Sequence, residues 1–220
     1  MNPQPFFLDG KKYALAIHAT SPELGLAISN FAGDERCQTW NLGRALSTDL
    51  HAILAEFIKP QNWEDLAFVA VAKGPGSFTG TRIGVVTARA IAQQLKIPVF
   101  AISTLAAAAQ FEKQRTSSIS DDTDIAVEMP AQRGQIFAAI YKLSTQITVL
   151  LPDAALTPEA WQETLQKWPN PYHLIRVSNE LGASVSALLQ LAYLDWQKGL
   201  QPTWAEALPF YGQHPVSDKV

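Results

Sequence analysis

One stretch, Lys73–Gly84 (KGPGSFTGTRIG), constrains this chain more than any other. It follows the apolar run Leu66–Ala72 and precedes a segment rich in small residues, from about Thr79 to Leu95. A short continuous apolar run fits a strand buried on both faces, and the small residues that follow fit a helix packed closely on a sheet. A buried strand handing over to a helix through glycines belongs to α/β folds, where such turns are the usual place for a ligand or a partner. Gly74 and Gly76 permit a sharp turn with positive φ. Ser77 or Thr79 is suited to cap the helix.

The loop is not a Walker A sequence, because no Lys-Ser/Thr pair follows its glycines. Its G-x-G-x-x-x-G spacing also departs from the dinucleotide fingerprint, and Pro75 removes a backbone donor that a phosphate cradle would use. Arg82 falls in the first helical turn, against the helix dipole, so an anion elsewhere is expected to hold it. The residues alone leave two readings open, a tight capped turn and a functional loop.

Before this loop, Lys12–His18 reads as a buried strand, Leu24–Ile28 as its return and Glu35–Asn41 as a more polar third strand. Leu46, Leu50, Ile53, Leu54, Phe57 and Ile58 then recur at helical spacing, with Pro60 beyond the end. After it come a strand at Ile97–Ile102 and an alanine-rich helix at Thr104–Gln114. The polar stretch Thr116–Thr123 marks a boundary. Strands follow at Ile125–Glu128, Ile136–Leu143 and Ile147–Leu151. A helix begins at Thr157–Pro158, then a strand at Leu174–Val177 and a helix at Ala183–Lys198. Gln213–Val220 is expected to be a loose tail. The second half echoes the first, strands then helices, without sequence self-similarity.

Composition narrows the function. With 17 basic and 20 acidic residues and a formal charge of −3, neither half is a basic platform for nucleic acid. A single cysteine, Cys37, excludes a disulfide framework and suits a reducing cytosol. Met1–Pro5 lacks the basic start of a signal peptide, and Ile97–Phe111, the longest uncharged run, is too short to span a bilayer. A cytoplasmic protein is expected. His18, His51, His173 and His214 keep no metal-ligand spacing, so no metal is expected. His18 is expected as a hydrogen-bonded residue at a strand end, Cys37 as a small strand hydrophobe, and Asp121, Asp122 and Asp124 as a solvated acidic loop.

The run Gly74-Pro75-Gly76-Ser77-Phe78-Thr79-Gly80-Thr81-Arg82-Ile83-Gly84 resembles the signature of the bacterial TsaB (YeaZ) family. The likeness extends to the opening strand, the helix around Leu46–Ile58, Ile97–Pro98–Val99, Gln132–Phe137 and Leu208–Tyr211. It implies an actin-like, ribonuclease H-like α/β fold, a mixed sheet flanked by helices in two related subdomains, here expected at residues 1–115 and 116–220. It also implies a non-catalytic subunit that docks on TsaD, with TsaE, for threonylcarbamoyl transfer to N6 of the adenosine beside the tRNA anticodon. The helices at 45–58 and 79–95 would carry the interface, through Leu46, Leu50, Ile53, Arg82, Val85, Val86 and Arg89. A homodimer is the other association the family implies, and tRNA would be met only through the complex.

Three positions depart from the family pattern. Ile17-His18-Ala19-Thr20 stands where the family reads Ile-Asp-Thr-Ser, and Pro130 and Gln132 stand where it has Asp and Arg. An imidazole does not replace a carboxylate for Mg²⁺, so no cofactor is expected in the chain itself, with ATP or ADP only at the partner interface. The rivals are a kinase-like ATP-dependent phosphotransferase of the same superfamily, a glycoprotease-like peptidase and a homodimeric regulator. No catalytic triad supports the peptidase.

Overall fold

The computed structural model describes residues 7–144, 146–178 and 180–213. The start at Met1–Pro5, His214 and the rest of the expected tail lie outside the described residues, apart from Gln213. Two sheets organise the chain. The first has the order β3-β2-β1-β4-β5, from β1 (Tyr13–His18), β2 (Glu23–Ser29), β3 (Glu35–Asn41), β4 (Leu66–Ala72) and β5 (Val99–Ile102). The second has the order β8-β7-β6-β9, from β6 (Asp124–Pro130), β7 (Ile136–Leu143), β8 (Ile147–Leu156) and β9 (Tyr172–Arg176).

The two sheets share one plan. In each, the first strand pairs antiparallel with the second, the second antiparallel with the third, and a helical crossover returns the fourth parallel to the first. The crossovers are α1 (Leu46–Phe57) and α4 (Pro158–Gln166), and the helices that follow are α2 (Phe78–Leu95) and α5 (Val185–Gln197). Two βββαβα units, without evident sequence repetition, thus build the actin-like arrangement of related subdomains. A further β5 and α3 (Thr104–Arg115) join them.

Alternation along the strands assigns each face to a layer. Leu15 and Ile17 of β1 point into a core shared with α1 and α2, which includes Leu50, Val69, Val71 and Val85. Ala14 and Ala16 point the other way, toward Ala107 of α3 and Val185 and Leu188 of α5. The outer face of α3 meets Ile125, Val127 and Tyr141 of the second sheet. Trp161 of α4 closes its far side against Ala126, Ala138 and Ile140. The layers therefore run helix, sheet, helix, sheet, helix. The last helix, α5, lies beyond residue 116 yet packs on the first sheet, where the small residues at 14, 16, 27, 70 and 72 admit it.

Local chemistry sets the helix starts. Ser77, Ser103 and Thr157 each turn a side-chain oxygen onto an orphan N–H of the helix that follows, and Pro158 occupies the first turn of α4. Some boundaries moved. The strand expected from Ile97 starts at Val99, because α2 ends at Leu95 with a left-handed cap at Lys96 and the Ile97 N–H still donates back to the Ala92 carbonyl. The strand expected to end at Leu151 continues to Leu156, with register shifts opposite Ile140. One expectation is corrected outright: Asp124 is fully buried at the start of β6 rather than in a solvated loop. Its Oδ2 accepts from the Trp168 indole at 2.9 Å and from Asn170 at 3.0 Å, fastening the approach to β9.

Candidate functional site at the glycine-rich loop and the cleft between the sheets

The loop Lys73–Gly84 is fastened at both sides. The Ser77 N–H donates to the Thr20 carbonyl at 2.7 Å, and Thr104 N–H donates to the Gly74 carbonyl at 2.9 Å. Phe210 N–H donates to the Lys73 carbonyl at 2.6 Å. Glycine is required here by close approach as much as by φ. A Cβ at Gly76, where φ is +154°, would lie 2.3 Å from the Thr20 carbonyl oxygen. At Gly74, with φ of +103°, it would lie 2.1 Å from the Phe210 carbonyl oxygen. Gly80 meets the Ala19 carbonyl oxygen in the same way, so α2 is laid directly on the turn after β1.

Of the two readings the residues left open, the geometry carries the capped turn. The Ser77 hydroxyl accepts the Gly80 N–H at 3.2 Å, and the Ser77 N–H is spent on Thr20. Thr79 is exposed and caps nothing. Arg82 is not held by an anion among the described residues. Its guanidinium lies 4.6 Å from the Phe78 ring centroid, and Phe78 in turn packs on Tyr211 at 4.4 Å. The aromatic face supplies the negative potential that an anion was expected to supply.

The expected interface residues divide by direction. Leu46, Leu50 and Val85 are buried in the chain's own core. Ile53 is half-buried against the same core, whereas Arg82 and Val86 are exposed and Arg89 is partly so. The small residues of α2 divide too: Gly84, Ala88 and Ala92 are buried toward the sheet, and Ala90 is exposed. Gly84 packs closely on the turn after β1, since a Cβ there would lie 3.2 Å from Ala19 Cβ.

Between the sheets lies a cavity of about 560 Å³, within the size range of small-molecule sites. Its walls come from the turn after β1 (Thr20, Ser21), the loop (Gly76, Ser77, Phe78), the end of β6 (Met129, Pro130, Gln132) and the C-terminal segment (Tyr211, Gln213). Two of the positions that depart from the family pattern, Pro130 and Gln132, thus face the glycine loop across this cleft. No lining residue carries a formal charge. The donor set is hydroxyls, amides, backbone and aromatic rings. Hard divalent cations want carboxylate oxygens and polyphosphates want cations, so these walls do not fit a magnesium nucleotide.

His18, two residues before Thr20, is fully buried on the α3 and α5 side of β1. No other described residue supplies the expected hydrogen bond to its ring nitrogens, and only its own backbone pulls against the effect of burial. Burial lowers its pKa from 6.5 to about 4, so the ring is neutral at pH 7. The other placed histidines lie apart from it. His51 reaches Thr87 from α1, at 3.3 Å, and His173 sits on β9. Among the described residues no group of three or more His, Cys, Asp or Glu is placed to hold a metal ion, and no helix is long and apolar enough to cross a membrane. Cys37 is exposed on β3, with its thiol pushed up first by desolvation and then by Glu35.

Two features escaped the sequence reading. The segment from Pro202 to Gln213 runs beside α2 and then bridges the sheets. Val99 N–H donates to the Pro202 carbonyl, Trp204 sits under Arg89 at 5.3 Å, and the Gln213 side chain exchanges bonds with the Gln132 backbone at 3.0 and 3.3 Å. The only signal was the likeness at Leu208–Tyr211. The second feature is a polar chain across the layers. The Ser103 hydroxyl lies 3.1 Å from the Tyr141 hydroxyl, which donates to Asp153. Burial raises the Asp153 pKa, against the opposing pull of Ser103, Tyr141 and Lys73. Residues so distant in sequence carry no local sign of meeting.

Comparison with known proteins adds to this geometry. Residues 43–188, about two-thirds of the chain, match the family model described as TsaD: tRNA N6-adenosine threonylcarbamoyltransferase. The chain is 35% identical over 109 residues to the tRNA threonylcarbamoyladenosine biosynthesis protein TsaB of Bacillus subtilis (strain 168), covering 49% of this chain and 45% of that protein. It is 32% identical over 78 residues to the TsaB of Escherichia coli (strain K12), covering 36% of this chain and 32% of that protein. The matches therefore span less than half the length of these relatives. Among solved structures, a Pseudomonas aeruginosa protein described as similar to peptidase YEAZ superposes with a TM-score of 0.76 at 20% identity. That superposition covers 92% of this chain and 100% of that one, and a YeaZ structure from the same species gives 0.74.

Proposed function

The chain belongs to the family of the tRNA N6-adenosine threonylcarbamoyltransferase TsaD, among its TsaB/YeaZ members, and from that premise we propose that it serves threonylcarbamoyladenosine biosynthesis as a non-catalytic subunit. In this reading it docks on TsaD through the outward side of α1 and α2, at Ile53, Arg82, Val86 and Arg89. TsaD supplies metal and chemistry, transferring the threonylcarbamoyl group to N6 of adenosine, and TsaE binds where the two meet. The tRNA is reached only through the complex, in the cytoplasm, and ATP or ADP belongs to the partner interface.

The observation that carries the reading is the chemistry of the cleft. Its walls offer hydroxyls, amides and rings, and a buried, neutral His18 stands where the family pattern has Asp. A phosphotransferase would need carboxylates and cations at that place. What remains is a rigid α/β body whose loop glycines are spent on packing α2 against the turn after β1, as a scaffold requires. A fold shared with many chemistries does not assign one by itself, so the surface has to be tested directly.

The test is light scattering on size-exclusion fractions of this chain alone and mixed with TsaD from the same organism, followed by a threonylcarbamoyl-transfer assay. The expected result is a stoichiometric complex that transfers the group to tRNA where TsaD alone does not. Absence of a complex with nucleotide and TsaE present would sink the scaffold reading. Tight binding of a magnesium nucleotide by the isolated chain would favour the phosphotransferase.

A further inference from the structure

Four consecutive residues of the C-terminal segment cross the cleft from one sheet to the other. The Phe210 N–H donates to the Lys73 carbonyl, and the Tyr211 ring packs on Phe78, both on the side of the first sheet. Gly212, at φ of +65°, lies against Phe137 of β7, where a Cβ would stand 2.7 Å from the ring. Gln213 then takes hold of the turn between β6 and β7, through the Gln132 backbone and the Gln135 side chain. That turn has both central residues left-handed, Arg133 at +59° and Gly134 at +70°, the I′ geometry of a two-residue hairpin. Strap and turn together hold the two sides of the 560 Å³ cavity at a fixed distance.

Four neutral polar groups on these walls keep hydrogen-bonding capacity to spare. Thr20, only 2% exposed, accepts from the Thr104 hydroxyl at 3.1 Å, and no described residue takes its own O–H. Ser77 accepts from the Gly80 N–H, and its O–H is likewise open. The Gln132 side-chain amide and the Tyr211 hydroxyl have no hydrogen-bond partner among the described residues. Between them Met129, Phe137 and Leu181 offer apolar surface. An ionic ligand would shed its hydration here and meet no counter-charge. The Ser77 and Gly80 N–H groups at the start of α2 are spent on Thr20 and on the Ser77 side chain, so they do not serve a phosphate either. An uncharged heterocycle suits the walls: its ring body covers the apolar surface, and its edge meets hydroxyls and an amide that both donate and accept.

We propose that this cleft is a binding site for an uncharged nucleobase or nucleoside, held by Thr20, Ser77, Gln132 and Tyr211, and that it discriminates against the phosphorylated forms. The order of affinity is nucleoside above nucleotide, the reverse of a cleft built to hold phosphates. The inference stands apart from the docking reading, because this chain alone supplies every wall of the site. Discrimination comes from what the walls withhold: a phosphate brought here leaves water and finds neither cation nor open backbone donor at the loop.

The experiment titrates the full, isotope-labelled chain with adenosine, guanosine, cytidine and uridine, and with ATP and magnesium, followed by heteronuclear NMR and calorimetry. The expected result is saturable movement of cleft resonances with at least one nucleoside, and weaker binding of ATP than of adenosine. A variant carrying Gln132→Ala and Tyr211→Phe keeps the Gln132 backbone bonds and the ring packing on Phe78, so its melting curve is expected to match. Its affinity for the nucleoside is expected to fall about tenfold, as two neutral hydrogen bonds are lost. Should that curve shift, Gln132→Ala alone, on the exposed turn, supplies the comparison. No saturable shift with any of the four nucleosides overturns the proposal. ATP binding more tightly than adenosine overturns the discrimination against phosphate. Nucleoside binding that the variants leave unchanged puts the ligand elsewhere and overturns the site.

Discussion

The backbone N–H of Ser77 donates to the carbonyl of Thr20 across 2.7 Å, tying the glycine-rich loop to the turn that follows the first strand. Loop, turn and α2 therefore form one rigid corner of the first sheet, and the glycines are what allow its parts to approach. The corner is also one wall of the cleft, so its packing sets the shape of the cavity that faces Pro130 and Gln132.

Alanine at Gly80 tests this corner. In an ordinary helix the change is favourable by about 1 kcal/mol. Here the new Cβ would lie 2.1 Å from the Ala19 carbonyl oxygen, a backbone atom that cannot rotate away. Gly80→Ala is expected to destabilise by about 2–3 kcal/mol in urea melts, because overpacking outweighs helix propensity. A variant as stable as the parent would show that the corner is not rigid.

His18 predicts an acid limb in the stability curve. Its folded pKa of about 4 lies below the 6.5 of an unfolded histidine, so between these values the unfolded chain holds a proton that the native chain does not. Stability is complete above about pH 6.5 and falls as pH drops toward 4, by on the order of 3 kcal/mol in all. His18→Leu removes this dependence. The difference between the two chains' urea midpoints at about pH 7 and pH 4.5 reads it, and parallel shifts in both would discard the assignment.

The hydroxyl of Tyr141 links Ser103, at the cap of α3, to Asp153 on β8. Tyr141→Phe takes one of its donors from the half-buried Asp153 carboxylate, leaving Ser103, and is expected to cost about 1 kcal/mol. Because that hydrogen bond lowers the Asp153 pKa, its loss should push the carboxyl further up, seen by NMR titration. A carboxyl that titrates unchanged would mean the contact is not formed in solution.

Leu50 and Val86 separate core from surface. Leu50 is fully buried among β-strand side chains, so Leu50→Ala is expected to cost about 2–5 kcal/mol and to act on partner binding only through folding. Val86 is exposed, and Val86→Ala is expected to change stability by less than about 0.5 kcal/mol while weakening the partner complex. Equal losses of stability at the two positions would refute the assignment of α2's outward face.

Local signals in the sequence determined the strands, the helices and their caps. Hydrophobic period distinguishes β4 from α2, and Ser77 and Thr157–Pro158 mark helix starts, because caps and periodicity act between residues a few positions apart. The glycine loop was legible for the same reason, as was the departure at His18. Which face each residue takes, and what it meets there, was decided by tertiary structure. Leu46, Leu50 and Val85 read as interface from their helices but turn inward. Arg82 found a ring rather than an anion, and His18 found no hydrogen-bond partner among the other described residues. The segment from Pro202 to Gln213 became part of both the cleft and the α2 surface. Apart from the local stacking of Arg82 on Phe78, those outcomes depend on contacts such as Thr20 with Ser77, Val99 with Pro202 and Lys73 with Phe210, and no local window of sequence contains both partners.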